Sequence, residues 1–284
     1  MRKECKLLYE GIKFYTKQLL FSKSRFKYLK RFVTEKVLRR KLEEPLKVEL
    51  VYSIPLNSYI YIHSIRSYFY SGFYESSVTK YLREKAKRFK PCLFVDVGAY
   101  VGYYSILMAE EGCDVIAFEP DPRSFVLLVN NVALKGLQKK IVVFNKAVCE
   151  SDQPILFKFS KSPSESSFTS YLRKDLVEFV SPVPCVTLDS VLSTFEVHNL
   201  VLKIDVEGAA LQVLKGGMNT IARFRPYIVL EVHRTYESDE LLVLSLLRRY
   251  GYRWKILEWR NSKNFIVALE PSGERSCKRS SDPF

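Results

Sequence analysis

The sequence predicts a doubly wound, Rossmann-like α/β domain built on a mostly parallel seven-stranded sheet with an antiparallel edge. Three observations predict it. From Pro91 onward, short apolar runs rich in Val, Ile, Leu and Phe alternate with segments of helical periodicity, the pattern of a parallel sheet covered on both faces. The first such run, CLFVDVG, ends in an acid and a glycine where a turn into a helix is expected. The last two β-rich runs, YRWKILEW and NFIVALE, follow each other without a helical crossover and must therefore pair antiparallel.

The elements follow in order. Residues 75–89 carry Val78, Tyr81, Leu82, Lys85 and Phe89 at helical spacing and lead into the core. After the strand at 92–97 come a helix from about Gly102 to Glu111, the strand DVIAFEP and a helix from about Pro122 to Leu134. The run KIVVFNKAV reads as one further strand, and ILFKFS as part of a hairpin. A Ser-rich, Pro-punctuated stretch, KSPSESSFTS, reads as a mobile lid. VTLDSVL, the strand NLVLKIDVEG, a helix to about Leu214, the strand PYIVLEVH and a helix at 238–250 complete the series.

Ahead of this domain (91–270), residues 1–47 form a basic amphipathic extension and 48–90 a hairpin and helix leading into the core; 271–284 reads as a disordered tail. Two helices are expected at 5–21 and 25–40, and the hairpin strands at 47–53 and 58–65. The net charge of +14 is uneven: residues 1–47 hold fifteen Lys or Arg against five Asp or Glu, and the remainder contributes only +4. Such a segment suits an acidic membrane surface, nucleic acid or a solvated helical face. No stretch has the length of apolar residues that a spanning helix needs, and Glu10, Lys13 and Lys17 interrupt any signal-peptide core. The expectation is a cytoplasmic protein, with peripheral membrane contact through residues 1–47 as the alternative. The six cysteines show no CxxC pair or metal-ligand spacing, so neither zinc nor a disulfide framework is expected, and Cys92 reads as a small apolar strand residue.

Candidate ligand residues gather at the carboxyl ends of the strands, where open α/β sheets bind ligands. Asp96-Val97-Gly98-Ala99-Tyr100-Val101-Gly102 is a strand running into a glycine turn, with Gly98 making the turn and Gly102 allowing close backbone approach. Glu119, followed by Pro120, ends the next strand twenty-one residues after Gly98, where a carboxylate can accept from both ribose hydroxyls. Dinucleotide sites use G-x-G-x-x-G to bind a pyrophosphate; the D-x-G-x-x-x-G spacing here, with its acid, suits a cationic nucleoside without phosphate, as S-adenosylmethionine is. A second group is Lys203-Ile204-Asp205-Val206-Glu207-Gly208 with Glu231-Val232-His233 on the following strand. If the chain stays extended, Lys203, Asp205 and Glu207 share one side. Asp205, Glu207 and His233 are the candidate bases for deprotonating an acceptor, and Asp205 also a cofactor contact. A divalent cation held by Asp205 and Glu207 ranks below metal-free chemistry. His63 and His198 read as structural or exposed.

These stretches resemble the FkbM-type methyltransferases, whose pattern runs close to DVGANxGYYS, FEPDP, an Asn-rich helix, TLD, KIDVEGAE…LKG and then Pro with EVH. The chain has DVGAYVGYYS, FEPDP, Asn130-Asn131, Thr187-Leu188-Asp189, KIDVEGAALQVLKGG and Pro226 through His233. The resemblance covers about residues 90 to 270 and implies S-adenosylmethionine as cofactor and O-methylation, often of sugars or related hydroxylated metabolites. It assigns Asp96, Gly98 and Gly102 to the cofactor loop, Glu119 to the ribose, and Asp205 and Glu207 to the reaction site. Two positions depart from the pattern: Tyr100 stands where Asn is common, and Ala210 replaces a Glu, which bears on substrate choice.

Competing readings are a methyltransferase for nucleic-acid ribose and a non-catalytic module docking through residues 1–47. Base-nitrogen methylation is disfavoured because Ile-Asp-Val-Glu-Gly stands where an Asn- or Asp-Pro-Pro-aromatic motif would hold a flipped base. Glycine spacing argues against a nicotinamide dehydrogenase.

Overall fold

The computed structural model describes residues 75–160, 166–167, 174–233, 240–260 and 264–272. The expected helices and hairpin of residues 1–65, most of the Ser-rich stretch and the tail from residue 273 lie outside the described residues.

Helix α1 (Ser76–Arg88) packs Val78, Leu82 and Ala86 inward and leads into β1 (Cys92–Val97), which is buried along its whole length. Then come α2 (Tyr103–Glu110), β2 (Asp114–Phe118), α3 (Pro122–Leu134) and β3 (Ile141–Phe144). The start of α3 follows from its sequence: Pro122 sits at the first helical position, and the Asp121 carboxylate caps the turn by accepting from the Arg123 amide at 2.9 Å. After β3 the chain forms β4 (Ala147–Val148), the hairpin strands β5 (Ile155–Ser160) and β6 (Val177–Val183), and β7 (Cys185–Val186). Next are α4 (Leu188–Leu192), β8 (Asn199–Ile204), α5 (Ala210–Lys215), α6 (Met218–Phe224), β9 (Tyr227–His233), α7 (Glu240–Arg249), β10 (Tyr252–Trp259) and β11 (Asn264–Pro271).

The main sheet has seven strands in the order β10-β11-β9-β8-β1-β2-β3. Pairings among β3, β2, β1, β8 and β9 are parallel, and β11 runs antiparallel to both β9 and β10. Strand order reverses between β1 and β8, so the crevice for a ligand opens at their carboxyl ends. Period-two alternation divides the core in two. Phe94, Val201 and Val229 face α1 and α2, while Val95, Leu202 and Leu230 face α5 and α7.

Several sequence expectations are corrected. KIVVFNKAV is not one strand: it breaks at Asn145, whose side-chain amide donates to the Glu119 and Pro120 carbonyls at 2.8 and 3.1 Å instead of continuing the ladder. A second short helix, α6, follows α5, where the sequence reading placed none. The cysteines pair: Cys92 with Cys113, tying the starts of β1 and β2, and Cys149 with Cys185, tying β4 to β7. Cys92 is buried as expected, but as half of a disulfide. Among the described residues no helix is long and apolar enough to cross a membrane.

Candidate active site

The loop after β1 is built by its glycines. Gly98 (φ +80°) lies where a Cβ would stand 1.8 Å from the Asp205 carbonyl oxygen, so the loops after β1 and β8 touch backbone to backbone. The Gly98 and Ala99 amides both donate to the Phe118 carbonyl, and the Asp205 amide donates to that of Val97. At Gly102 (φ +91°) a Cβ would meet Leu128 of α3 at 2.5 Å. That glycine therefore serves the turn into α2 and its packing on α3. Tyr100 also takes a positive φ, +52°, an uncommon conformation that the Asn of the family pattern adopts more readily.

Glu119 sits at the end of β2 and is bound to this loop: one carboxylate oxygen accepts from the Tyr100 amide at 2.8 Å, the other from the Asp121 amide at 2.9 Å. Burial raises its pKa to about 8, against the pull of those two amides. Each oxygen keeps a lone pair for a further donor, as two ribose hydroxyls would require. Asp96, on β1, is buried; one oxygen accepts from the Ser105 hydroxyl at 2.7 Å, and the other has no hydrogen-bond partner among the described residues. Burial pushes its carboxyl upward, opposed by Lys203. An unfilled buried acceptor beside the loop fits a site for a cationic ligand.

At the neighbouring strand end, β8 stops at Ile204 and the chain turns, with Glu207 (φ +44°) and Gly208 (φ +86°) both left-handed. Extended alternation thus fails beyond Lys203, and Glu207, half-buried, belongs to the turn. Its carbonyl accepts from the Ser167 hydroxyl at 2.8 Å. Lys203 donates to Asp205 at 3.0 Å and lies 3.9 Å from Asp96. Burial acts to lower the Lys203 pKa, but Asp205, Asp96 and Glu75 around it raise it well above the usual lysine value. Burial, with Asp205 nearby, raises the pKa of Glu231, on β9, to about 9, opposed by Arg260. His233 ends the same strand opposite Asn264; its side chain lies outside the described residues. His198 is half-exposed and faces Glu196 at 3.2 Å. No cluster of three or more His, Cys, Asp or Glu placed to hold a metal occurs among the described residues.

The structure thus brings Asp96, Gly98, Ala99, Glu119 and Asp205 together at the carboxyl ends of β1, β2 and β8, with Pro120 and Gly102 beside them. Sequence reasoning missed Glu75, Tyr104 and Arg260, which complete the charged group. Glu75 and Arg260 stand 185 residues apart, and no local pattern links them. The hairpin β5–β6 and the segment between its strands are tied to the start of α3: Ser166 donates to Asp121 at 3.0 Å, and Arg123 binds Glu178 and the Ser160 carbonyl.

A seven-stranded sheet with an acid-glycine loop after its first strand and a loop-bound glutamate ending its second defines a nucleoside-binding domain of the methyltransferase type. The chain belongs to the methyltransferase FkbM domain family, which it matches over residues 96–254. It is similar to the hexuronic acid methyltransferase AglP of Haloferax volcanii, at 25% identity over 194 residues, covering 68% of this chain and 76% of that protein. Among solved structures it is similar to the FkbM methyltransferase of Methylobacillus flagellatus KT, with a TM-score of 0.46 and 18% identity over 63% of this chain; the match spans only 43% of that longer chain. It is also similar to the magnesium protoporphyrin IX methyltransferase ChlM of Synechocystis PCC 6803, with TM-score 0.42 and 10% identity, covering 70% and 78% of the two chains.

Proposed function

We propose that the chain transfers a methyl group from S-adenosylmethionine to a hydroxyl oxygen of a sugar or a related small hydroxylated metabolite. The observation that carries this reading is Glu119, a buried carboxylate whose oxygens are oriented by the amides of Tyr100 and Asp121 with lone pairs left for two hydroxyls. When bound, the cofactor supplies an electrophilic methyl carbon on its sulfonium. Asp96 and the Gly98–Ala99 turn hold the cationic end of that ligand, and Glu119 its ribose. Asp205, paired with Lys203 at 3.0 Å beside the Gly98 turn, orients the acceptor hydroxyl and takes its proton, the positioning and base work that methyl transfer to oxygen requires. Glu207 and His233 flank the same end of the sheet and remain candidates for contact with the acceptor. The acceptor class rests on the family and on similarity to a protein named for a hexuronic acid.

The test is calorimetric titration of S-adenosylmethionine into the wild-type protein and the Asp96→Ala and Glu119→Ala variants, followed by labelled-methyl transfer to monosaccharides, uronic acids and hydroxylated lipids. Micromolar binding lost in both variants is expected. A folded wild-type protein that binds no S-adenosylmethionine overturns the reading.

A further inference from the structure

Strand β10 forms the outer edge of the main sheet, and its two faces differ. Helix α1 covers one of them: the Lys255 ammonium lies 5.3 Å from the centre of the Tyr81 ring, and Tyr81 and Lys85 both donate to Glu270 of β11. The other face carries Trp254, Ile256 and Trp259, which stand opposite Leu269, Val267 and Phe265 of β11. Those three partners are buried in the core beneath α5 and α7, and the Trp259 ring centre lies 5.0 Å from that of Phe265. The two tryptophans and the isoleucine are themselves exposed, so the core continues outward as an open apolar stripe. Such a stripe on an edge strand invites another chain, and folded proteins cover it.

The chain itself supplies a cover of matching chemistry. Residues 1–74 lie outside the described residues and join the domain at Glu75. Glu75 pairs with Arg260, the residue next to Trp259, so the segment arrives at one end of the stripe. Its last part, from Tyr52 to Tyr74, holds eight tyrosines and phenylalanines and four isoleucines, with Arg66 its only formal charge. The basic residues of 1–47 lie farther away along the chain. Strand β10 spans eight residues, about 26 Å, a length that about eight extended residues or about eighteen helical ones match. The stretch from Tyr52 to Tyr74 suffices by either route. A tethered segment also acts at an effective concentration on the order of millimolar, which a second copy in dilute solution does not reach.

We propose that residues 52–74 dock on the Trp254–Ile256–Trp259 face of β10 and cover it within one chain. Trp254 and Trp259 each offer a broad apolar ring with a single N–H, a surface on which Tyr and Phe rings pack while the tyrosine hydroxyls stay in water. The pair of Glu75 with Arg260 fixes the point of entry, and the covered edge is closed to other chains. This interface is independent of which acceptor the domain methylates.

The experiment uses the full chain with Trp254 replaced by photoreactive benzoylphenylalanine, irradiated in dilute solution and mapped by mass spectrometry. A cross-link within one chain to a peptide from residues 52–74 is expected. Cross-links between two chains, cross-links only to lipid when anionic vesicles are added, or none to residues 52–74 overturn the proposal. Trp254 and Trp259 are the only tryptophans in the chain, so the unmodified protein gives a second reading. Its emission should be blue-shifted, and its quenching by acrylamide several-fold weaker, relative to the full-length variant Tyr68→Ser/Phe69→Ser/Tyr70→Ser. Equal emission and quenching in the two proteins, both folded by circular dichroism, overturns the proposal as well.

Discussion

Gly98 and the carbonyl of Asp205 compete for one space: a Cβ on Gly98 would stand 1.8 Å from that oxygen. Gly98→Ala must part the loops after β1 and β8 as well as strain a φ of +80°. The expected cost is about 2–4 kcal/mol of stability and loss of S-adenosylmethionine binding, read by thermal denaturation and calorimetry. Gly136→Ala is the control. It has positive φ (+66°) but nothing within 4 Å of its Cβ, so it should cost only about 1 kcal/mol and leave binding intact. Equal losses in the two variants would show that strain, not the contact, governs position 98.

Glu119 links cofactor binding to pH. Its pKa stands near 8 in the ligand-free protein, and hydroxyls donating to it favour the ionised form and lower that value. Binding near neutrality should therefore release a proton, and affinity should rise with pH until about 8 and then level off. Titrations in buffers of different ionisation enthalpy count the proton. The same shift acts on stability. A carboxyl raised from 4.5 to about 8 by folding contributes stability that is full below 4.5 and lost as pH rises through 8. Glu119→Gln should flatten both dependences; unchanged slopes would place the proton elsewhere.

Asp205→Asn keeps the shape of the side chain and removes its ability to take a proton. Methyl transfer should fall about a hundredfold or more while S-adenosylmethionine affinity changes little, measured by single-turnover kinetics beside calorimetry. A rate within twofold of wild type in a folded variant would move the base to Glu207 or His233.

Four of the six cysteines form the pairs Cys92–Cys113 and Cys149–Cys185. Alkylation of the unfolded, unreduced protein followed by mass spectrometry should leave those four blocked until a reductant is added. Reducing either bridge should cost about 3 kcal/mol for loops of this length. Such bridges persist in oxidising compartments, so their presence in the natively produced protein would argue against the cytoplasmic expectation, and six free thiols would support it.

The sheet was legible because each buried strand announces itself locally: Cys92–Val97 and Tyr227–His233 are apolar runs of the right length, and Asp121-Pro122 caps a helix in its own sequence. The placement of Asp96, Gly98 and Glu119 was legible for the same reason, since all three are fixed by the ends of adjacent strands. What local pattern could not supply was the side chain that leaves its own run. Asn145 ends a strand by turning to the carbonyls of Glu119 and Pro120. Glu207 departs from the alternation of β8 because Asp205 and Val206 already lie beyond its last paired residue. Arg260 reads as the polar end of an edge strand until the fold brings Glu75 and Glu231 to it.

The hairpin β5–β6 leaves the sheet's edge through a narrow neck. The parallel pairing of Ala147–Val148 with Cys185–Val186 and the Cys149–Cys185 bridge close that neck. Its interior contacts, Phe157 with Phe159 and Phe159 with Phe179, are made within the excursion itself. The described residues of this excursion thus carry an aromatic core of their own, tied to the start of α3 by Arg123, which binds Glu178 and the Ser160 carbonyl. A substitution at Phe159 or Phe179 therefore reaches the turn that holds Glu119 through Arg123, which lies over both rings and pairs with Asp121, whose amide donates to Glu119.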